Sequence, residues 1–83
     1  MTTIEKTVNI IKNVLRENKI ECDITNTTDL MHSNMIDSIV AIEILVCIEE
    51  TFDIVIADEE LSLELLKTPL FLSEFIDRKL SEK

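Results

Sequence analysis

The sequence predicts an all-α protein, a small bundle of three long helices and one short helix. The chain has no glycine and one proline, whereas small strand-rich domains usually need glycine in their hairpin turns. Aliphatic residues also recur at the three- and four-residue intervals of amphipathic helices. Because the chain has 83 residues, we expect a single domain over residues 1–83 with a thin core.

The first helix is predicted over about Thr3–Glu17, where Thr2 and Glu5 have capping-box spacing. Its apolar stripe follows the helical period and consists of Ile4, Val8, Ile10, Ile11, Val14 and Leu15. Residues 18–36 then form a long polar connection, and connections of this length in small domains are usually functional. We expect four apolar residues to anchor it, namely Ile20, Ile24, Leu30 and Met31.

The second helix is predicted to begin near Asp37–Ser38 and to end near Thr51. Residues 39–48 are all apolar except Glu43, so this helix is apolar nearly all the way round. On a helical wheel of about 100° per residue, one half carries no charge and should face the core; it holds Val40, Ala41, Ile44, Leu45, Cys47, Ile48, Thr51 and Phe52. The other half places Ser38 among apolar and acidic residues, namely Ile39, Ile42, Val46, Glu43, Glu49 and Glu50.

Two further helices are predicted after it. Residues 53–57 are short and β-branched, but no second strand is available to pair with them. A short helix is expected over Asp58–Leu66. Thr68 and Pro69 are a helix-start signal, and the last helix should cover about Pro69–Leu80. It should bury Leu70, Leu72, Phe75, Ile76 and Leu80.

The charge distribution restricts the possible partners. The net charge is −9, and residues 20–66 contain twelve acids without one Lys or Arg. Such a field repels nucleic acid and anionic membranes and attracts basic protein surfaces, although acids can also serve solubility alone. No apolar run is long enough to span a bilayer, and the N-terminus does not have the pattern of a signal peptide. We therefore expect a cytoplasmic protein with reduced thiols.

Several chemistries are disfavoured by composition. Without glycine the chain has no P-loop, dinucleotide-binding loop, nucleophile elbow or EF-hand loop. Cys22 and Cys47 lack metal-ligand spacing, so no metal site is expected, and Cys47 is interpreted as a structural thiol. A nucleophilic serine needs a base, and the only histidine, His32, is interpreted as a loop residue. We expect no catalytic residue.

Two features have two interpretations each: the outer half of the second helix, and Ser38 at its start. The acid-rimmed apolar half of the second helix is typical of a protein interface, but the helix could instead be buried all round. Either Ser38 or Asp37 could be a helix N-cap. A helix N-terminus also favours an anion, so a phosphodiester on Ser38 would be well placed. Asp37 beside it could help to hold a divalent ion during attachment.

The stretch SNMIDSIVAIEILVCIEETFDIVIADEEL, residues 33–61, resembles the acyl carrier protein family, including its peptidyl and D-alanyl carriers. Residues 37–39, Asp-Ser-Ile, are similar to the Asp-Ser-Leu motif of that family. The resemblance implies that Ser38 carries a 4′-phosphopantetheine arm, transferred from coenzyme A, whose thiol holds acyl or aminoacyl groups as thioesters. The chain departs from the family pattern at Asn34, Val40 and Ala57. These departures leave open whether the pathway is fatty-acid, polyketide or peptide-type biosynthesis.

The resemblance also implies a set of partners. One partner is a Mg²⁺-dependent phosphopantetheinyl transferase. The others are enzymes with basic surfaces that load the arm or act downstream. The carrier itself would be monomeric and non-catalytic and would bind these enzymes in turn. The docking residues would be Ile39, Ile42, Glu43, Val46, Glu49 and Glu50. The competing interpretation is an acidic helical interaction module that binds through its second helix and is never modified. Such a module needs Ser38 only as a cap.

Overall fold

The computed structural model describes residues 2–21, 23–31 and 36–82. These ranges contain three α-helices and no strand, which confirms the all-α class. The helices are α1 (Thr3–Glu17), α2 (Ser38–Phe52) and α3 (Pro69–Ser81). Two 3₁₀ helices, Asp58–Glu60 and Leu63–Leu66, lie between α2 and α3. α1 packs against both α2 and α3.

α1 has the predicted bounds. The Thr2 hydroxyl accepts a hydrogen bond from the Glu5 backbone N–H at 3.2 Å, which satisfies one of the donors left unpaired at a helix start. At the other end Lys19 adopts a left-handed conformation with φ 61°. The Ile20 N–H then reaches back to the Leu15 carbonyl at 2.8 Å, as in a Schellman motif. The predicted stripe is buried at Val8, Ile11, Val14 and Leu15 and partly buried at Ile4 and Ile10.

α1 runs antiparallel to the other two helices. Near its start, the Lys6 ammonium lies 5.8 Å from the ring centroid of Phe52 at the end of α2. The Thr3 hydroxyl donates to the Asp77 carboxylate, in the second half of α3, at 2.7 Å. Because the start of α1 meets the end of both partners, α2 and α3 run in the same general direction.

The connection between α1 and α2 is held by buried residues. Three of the four predicted anchors lie in the core or against it: Ile20, Ile24 and Leu30. The Leu30 N–H also donates to the Lys67 carbonyl at 3.1 Å. The prediction for Met31 is wrong, since 47% of this residue is exposed. The Asp29 carboxylate accepts the Met31 N–H at 3.1 Å, a local turn that follows the anchor Leu30 and leaves Met31 outside the core.

Two 3₁₀ helices stand where one short helix was predicted. The Glu60 carboxylate turns back to accept the Ala57 N–H at 3.0 Å and the Lys79 ammonium at 2.5 Å. The chain is extended at residues 61 and 62, so the first 3₁₀ helix does not continue. The Ser62 hydroxyl then accepts the Glu64 N–H at 3.1 Å and starts the second.

α3 begins as predicted and ends one residue later than expected. The Thr68 hydroxyl accepts the Phe71 N–H at 3.0 Å, and Pro69 is the first helical residue. The prediction that Leu70 is buried is wrong, because 42% of it is exposed. Leu70 precedes the fully buried Leu72 by two residues, so the two side chains lie on nearly opposite sides of the helix. Of the other predicted core residues, Leu72, Phe75 and Ile76 are buried and Leu80 is half-buried.

Candidate functional site

Asp37 is the N-cap of α2. Its backbone is extended, with φ −88° and ψ −179°, and its side-chain Oδ1 accepts the Val40 N–H at 2.9 Å. Its carbonyl accepts the Ala41 N–H at 2.9 Å. Of the two residues that could have capped this helix, the structure therefore uses Asp37.

Ser38 is the first residue of α2, and its side chain is exposed. Within the described ranges its hydroxyl makes no hydrogen bond, and neither do the backbone N–H groups of Ser38 and Ile39. These N–H groups and the positive end of the helix dipole favour an anion at this position. A phosphodiester on the Ser38 oxygen would therefore have both space and hydrogen-bond donors.

The outer face of α2 carries an apolar stripe, defined here as Ile39, Ile42 and Val46. These residues are 67%, 59% and 42% exposed, respectively. Leu45 and Ile48, which the wheel placed in the core, are 6% and 0% exposed. The predicted two-faced helix is confirmed, and the alternative of a helix buried all round is wrong.

The other residues of the core half follow the wheel with one exception. Val40, Ala41 and Ile44 are buried, and Cys47 and Phe52 are half-buried. Thr51 is exposed, because it lies in the last turn, where fewer elements cover the helix. The wheel gives the direction of a side chain but not where the neighbouring elements stop.

The three glutamates of α2 have different surroundings. Glu43 is exposed, and its Oε2 accepts a hydrogen bond from the Asn18 side-chain amide at 3.1 Å. Glu50 is also exposed. Glu49 is half-buried, and its Oε2 accepts the Ile56 N–H at 2.9 Å. Glu43 and Glu50 therefore form the acidic rim of the stripe, whereas Glu49 also holds the segment that follows α2.

Cys47 is only half-buried on α2. Burial is the main cause that raises the pKa of the Cys47 thiol. Nearby carboxylates raise it further, those of Glu50, Glu17 and Glu43. A thiol with a raised pKa stays protonated at neutral pH and is a weak nucleophile, which agrees with the structural role expected for it.

Exposed apolar residues also occur beyond α2, where the wheel could not indicate them. Val55 is 76% exposed, whereas Ile54 and Ile56 on either side are 6% and 5% exposed. This alternation is the two-residue period of an extended segment. The β-branched run at residues 53–57 indicates such a segment, but because residues 54–56 are all apolar the sequence does not show which of them is exposed. Because Ile56 is bonded to Glu49, Val55 lies beside the last turns of α2. Leu61, 46% exposed, had no comparable signal.

Three residues discussed in the sequence, Cys22, His32 and Asn34, lie outside the described residues. Among residues 2–21, 23–31 and 36–82, no three His, Cys, Asp or Glu side chains are grouped so that they could hold a metal ion. In the same ranges no helix has the length and apolarity needed to cross a membrane.

The described residues form a small all-helical domain with an exposed serine at the start of α2. A family model described as a phosphopantetheine attachment site matches residues 5–76, which is most of the chain. The chain therefore belongs to this family of carrier proteins of the acyl carrier type. Comparison with curated proteins and with solved structures gave no match.

Family membership establishes the prosthetic group and its general use. Members carry a covalently attached 4′-phosphopantetheine. They are modified by phosphopantetheinyl transferases, they interact with biosynthetic enzymes, and they are generally non-catalytic. The surroundings of Ser38 fit such a group, because its oxygen is accessible and the N–H groups beside it can receive a phosphate.

Proposed function

We propose that Ser38 is the attachment point of the phosphopantetheine arm and that residues 1–83 form one carrier domain. The observation that carries this proposal is that Asp37, and not Ser38, caps α2. An unmodified interaction module would need Ser38 only as a cap, and this need is already met by its neighbour. An exposed serine without a structural bond among the described residues is available for modification.

The residues around Ser38 each have a part in the attachment. The Ser38 oxygen would form the phosphodiester bond while the pyrophosphate bond of coenzyme A breaks, so that the hydroxyl proton is lost and the nucleotide part of coenzyme A leaves. The backbone N–H groups at the start of α2 stabilise the negative charge of the phosphodiester. Oδ1 of Asp37 caps the helix, so its second oxygen is the one that can approach the Mg²⁺ brought by the transferase. When bound, the arm supplies a thiol that holds the cargo as a thioester.

The apolar stripe and its glutamates form the docking surface in this proposal. Ile39, Ile42 and Val46 provide the apolar contact area that a protein interface buries at its centre. Glu43, Glu49 and Glu50 steer basic partner surfaces and set the orientation of docking. The partners are the transferase and the enzymes that load and consume acyl or aminoacyl groups in cytoplasmic fatty-acid, polyketide or peptide-type biosynthesis. The chain itself catalyses no step.

Intact mass spectrometry tests the attachment site. The protein is incubated with coenzyme A, Mg²⁺ and a phosphopantetheinyl transferase of broad specificity. The wild type should gain the mass of one arm, whereas Ser38→Ala should gain none and keep the helical circular dichroism of the wild type. Ser62→Ala is the matched control, because Ser62 is also exposed and begins a helix. It should gain the full mass of the arm.

Two outcomes would contradict the proposal. If the wild type stays unmodified under conditions that load a control carrier, the chain is not a carrier under these conditions and the unmodified interaction module is favoured. If Ser38→Ala still gains an arm, the attachment site is another residue.

A further inference from the structure

Val55 is the most exposed of the large apolar residues that the structure describes. It is 76% exposed, whereas Ile54 and Ile56 are 6% and 5% exposed. The two buried isoleucines therefore fix the segment and turn Val55 away from the core. An extended backbone favours β-branched residues, but threonine would meet this preference and expose a hydroxyl group to water. A polar residue of the same shape was thus available at this position.

Glu49 holds the chain on both sides of Val55. The Glu49 carbonyl accepts the Ile54 N–H at 3.2 Å, and its side-chain Oε2 accepts the Ile56 N–H at 2.9 Å. The second bond is made by a charged acceptor that is half-buried, and charge-assisted hydrogen bonds are the stronger ones. Val55 is therefore fixed between two hydrogen bonds that end on one residue of α2.

This position borders the apolar stripe. On a helical wheel Glu49 lies about 20° from Ile42 and about 60° from Val46, and it follows Val46 by about 4.5 Å along the helix axis. Val55 is held beside Glu49 and is turned away from the core, as Ile42 and Val46 are. It therefore continues the exposed apolar surface from the stripe onto the segment that follows α2.

The charges on both sides of Val55 in the sequence are acidic. Residues 20–66 contain no Lys or Arg, and four acids near Val55 are exposed: Glu50, Asp53, Asp58 and Glu59. An apolar residue among acids is complementary to an apolar contact surrounded by Lys and Arg. An anionic membrane is repelled by such a surface, and so is a second copy of this chain, whose net charge is also −9.

We propose that Val55 is a docking residue for the enzymes that act on the carrier and that Glu49 is its positioning residue. This role rests on the proposed function, in which those enzymes cover the apolar stripe. An apolar part of the enzyme surface contacts Val55, and basic side chains of the enzyme lie against the acids around it. Glu49 then contributes in two ways. Its charge steers the enzyme, and its bond to Ile56 holds Val55 in place.

The first test measures docking without modification. Binding to an immobilised phosphopantetheinyl transferase is followed by surface plasmon resonance in a Ser38→Ala background, where no arm is transferred to that position. Val55→Thr keeps the β-branched shape and should bind about fivefold more weakly, because a hydroxyl group is placed in an apolar contact. Val55→Ile, the conservative variant, should bind as tightly as the background protein. All three proteins should unfold at similar urea concentrations, since the site is exposed.

The second test separates the two contributions of Glu49. Glu49→Gln loses the charge but keeps an oxygen that can accept the Ile56 N–H, whereas Glu49→Ala loses both. Glu49→Ala should bind about threefold more weakly than Glu49→Gln, and the difference should persist at about 0.5 M ionic strength, where charge steering is screened. Val55→Thr should also have a smaller effect in the Glu49→Ala protein than in the protein with Glu49, because the two residues act as a unit.

The results distinguish this role from the attachment of the arm. If the wild type gains an arm but Val55→Thr binds as tightly as the background protein, Val55 is not a docking residue and the attachment proposal stands. If binding depends on Val55 but the wild type gains no arm, the docking role stands and the attachment proposal fails.

Three further results would overturn the proposal. A loss of stability in Val55→Thr that matches its loss of binding would make Val55 a structural residue. Self-association that sedimentation detects in the wild type and not in Val55→Thr would make the occupant a second copy. Equal binding by Glu49→Gln and Glu49→Ala would show that Glu49 acts through its charge alone.

Discussion

At the scale of single residues, two backbone positions show how a chain without glycine ends its helices. Lys19 and Asp53 both have positive φ values, 61° and 54°, and each follows the last turn of a helix. A residue with a Cβ atom loses about 1–2 kcal/mol in this conformation. Hydrogen bonds at the helix ends, such as that from the Ile20 N–H to the Leu15 carbonyl, therefore offset the backbone strain of the positive φ values.

Replacement of Lys19 tests this strain. Lys19→Gly should raise the free energy of unfolding by about 0.5–1 kcal/mol, because glycine adopts a positive φ without steric cost. Lys19→Ala is the matched control, since it removes the same charge but keeps Cβ, and it should not stabilise the protein. Urea denaturation of the three proteins measures the effect. Equal stability of the two variants would show that the backbone at this position is not strained.

The surroundings of Glu60 predict that the stability of the fold depends on pH. Its hydrogen bond from Lys79 is the main cause that holds the pKa of the Glu60 carboxyl below its ordinary value of 4.5, and the Ala57 N–H contributes. A lowered pKa in the folded state means that the ionised form stabilises the fold above pH 4.5. This contribution is lost as the pH falls through the folded-state pKa.

Glu60→Gln removes this titration while it keeps the shape of the side chain. At neutral pH the variant should be less stable than the wild type, and the difference should shrink as the pH falls below 4.5 and through the lowered folded-state pKa of Glu60. Glu59→Gln, at the exposed neighbouring position, is the control and should show no such convergence. Denaturant midpoints measured across this pH range decide. A constant difference between wild type and Glu60→Gln would argue against the ion pair with Lys79.

At the scale of the elements, α2 has two faces that serve different purposes. Leu45 and Ile48 are buried in the core, whereas Ile42 and Val46 are exposed on the apolar stripe. A helix that only packed in the core would gain nothing from apolar residues on its outer side. The proposed docking surface accounts for their presence.

Four alanine substitutions test the two faces. Leu45→Ala and Ile48→Ala should each lower the free energy of unfolding by about 2–5 kcal/mol, out of about 4–12 kcal/mol for a domain of this size. Ile42→Ala and Val46→Ala should change it by no more than about 0.5 kcal/mol, yet slow the modification of Ser38. Chemical denaturation and modification rates are measured on the same preparations. If Ile42→Ala unfolds as readily as Ile48→Ala, the stripe is not a docking surface.

Long helices with a regular apolar period could be predicted from the sequence, whereas elements whose bounds depend on distant contacts could not. The bounds of α1, α2 and α3 follow from periodicity and local caps, so each was predicted to within about two residues. The division of residues 58–66 into two 3₁₀ helices depends on Glu60 meeting Lys79, nineteen positions away. The exposure of Leu70, by contrast, follows from its position two residues before the buried Leu72, so a helical wheel of α3 could have indicated it.

Some features of the candidate site could also be predicted from the sequence, whereas others needed the structure. Ser38 and the apolar stripe were indicated by the motif and the wheel. The choice between Asp37 and Ser38 as the cap was not, since both residue types cap helices equally well. The contact of Glu49 with Ile56 also needed the structure, because the wheel does not show where the chain goes after α2.

At the scale of the whole molecule, the charges are separated along the chain and in the fold. Residues 20–66 hold twelve acids and no Lys or Arg, whereas all eight Lys and Arg lie in residues 1–19 and 67–83. In the fold the exposed glutamates of α2 lie beside the apolar stripe, whereas Lys12 and Arg16 are exposed on α1.

The acidic side should accelerate association with basic partners, and salt should remove this advantage. Raising the ionic strength from about 0.05 M to about 0.5 M shortens the Debye length roughly threefold, so the association rate with the transferase should fall. Glu43→Gln combined with Glu50→Gln should lower the rate at low salt and flatten its salt dependence. Glu74→Gln combined with Glu82→Gln, on α3 and beyond its end, changes the net charge equally and should have a smaller effect. Stopped-flow measurements give the rates. An association rate that does not respond to salt, or equal slopes for the two double variants, would show that the glutamates of α2 do not steer docking.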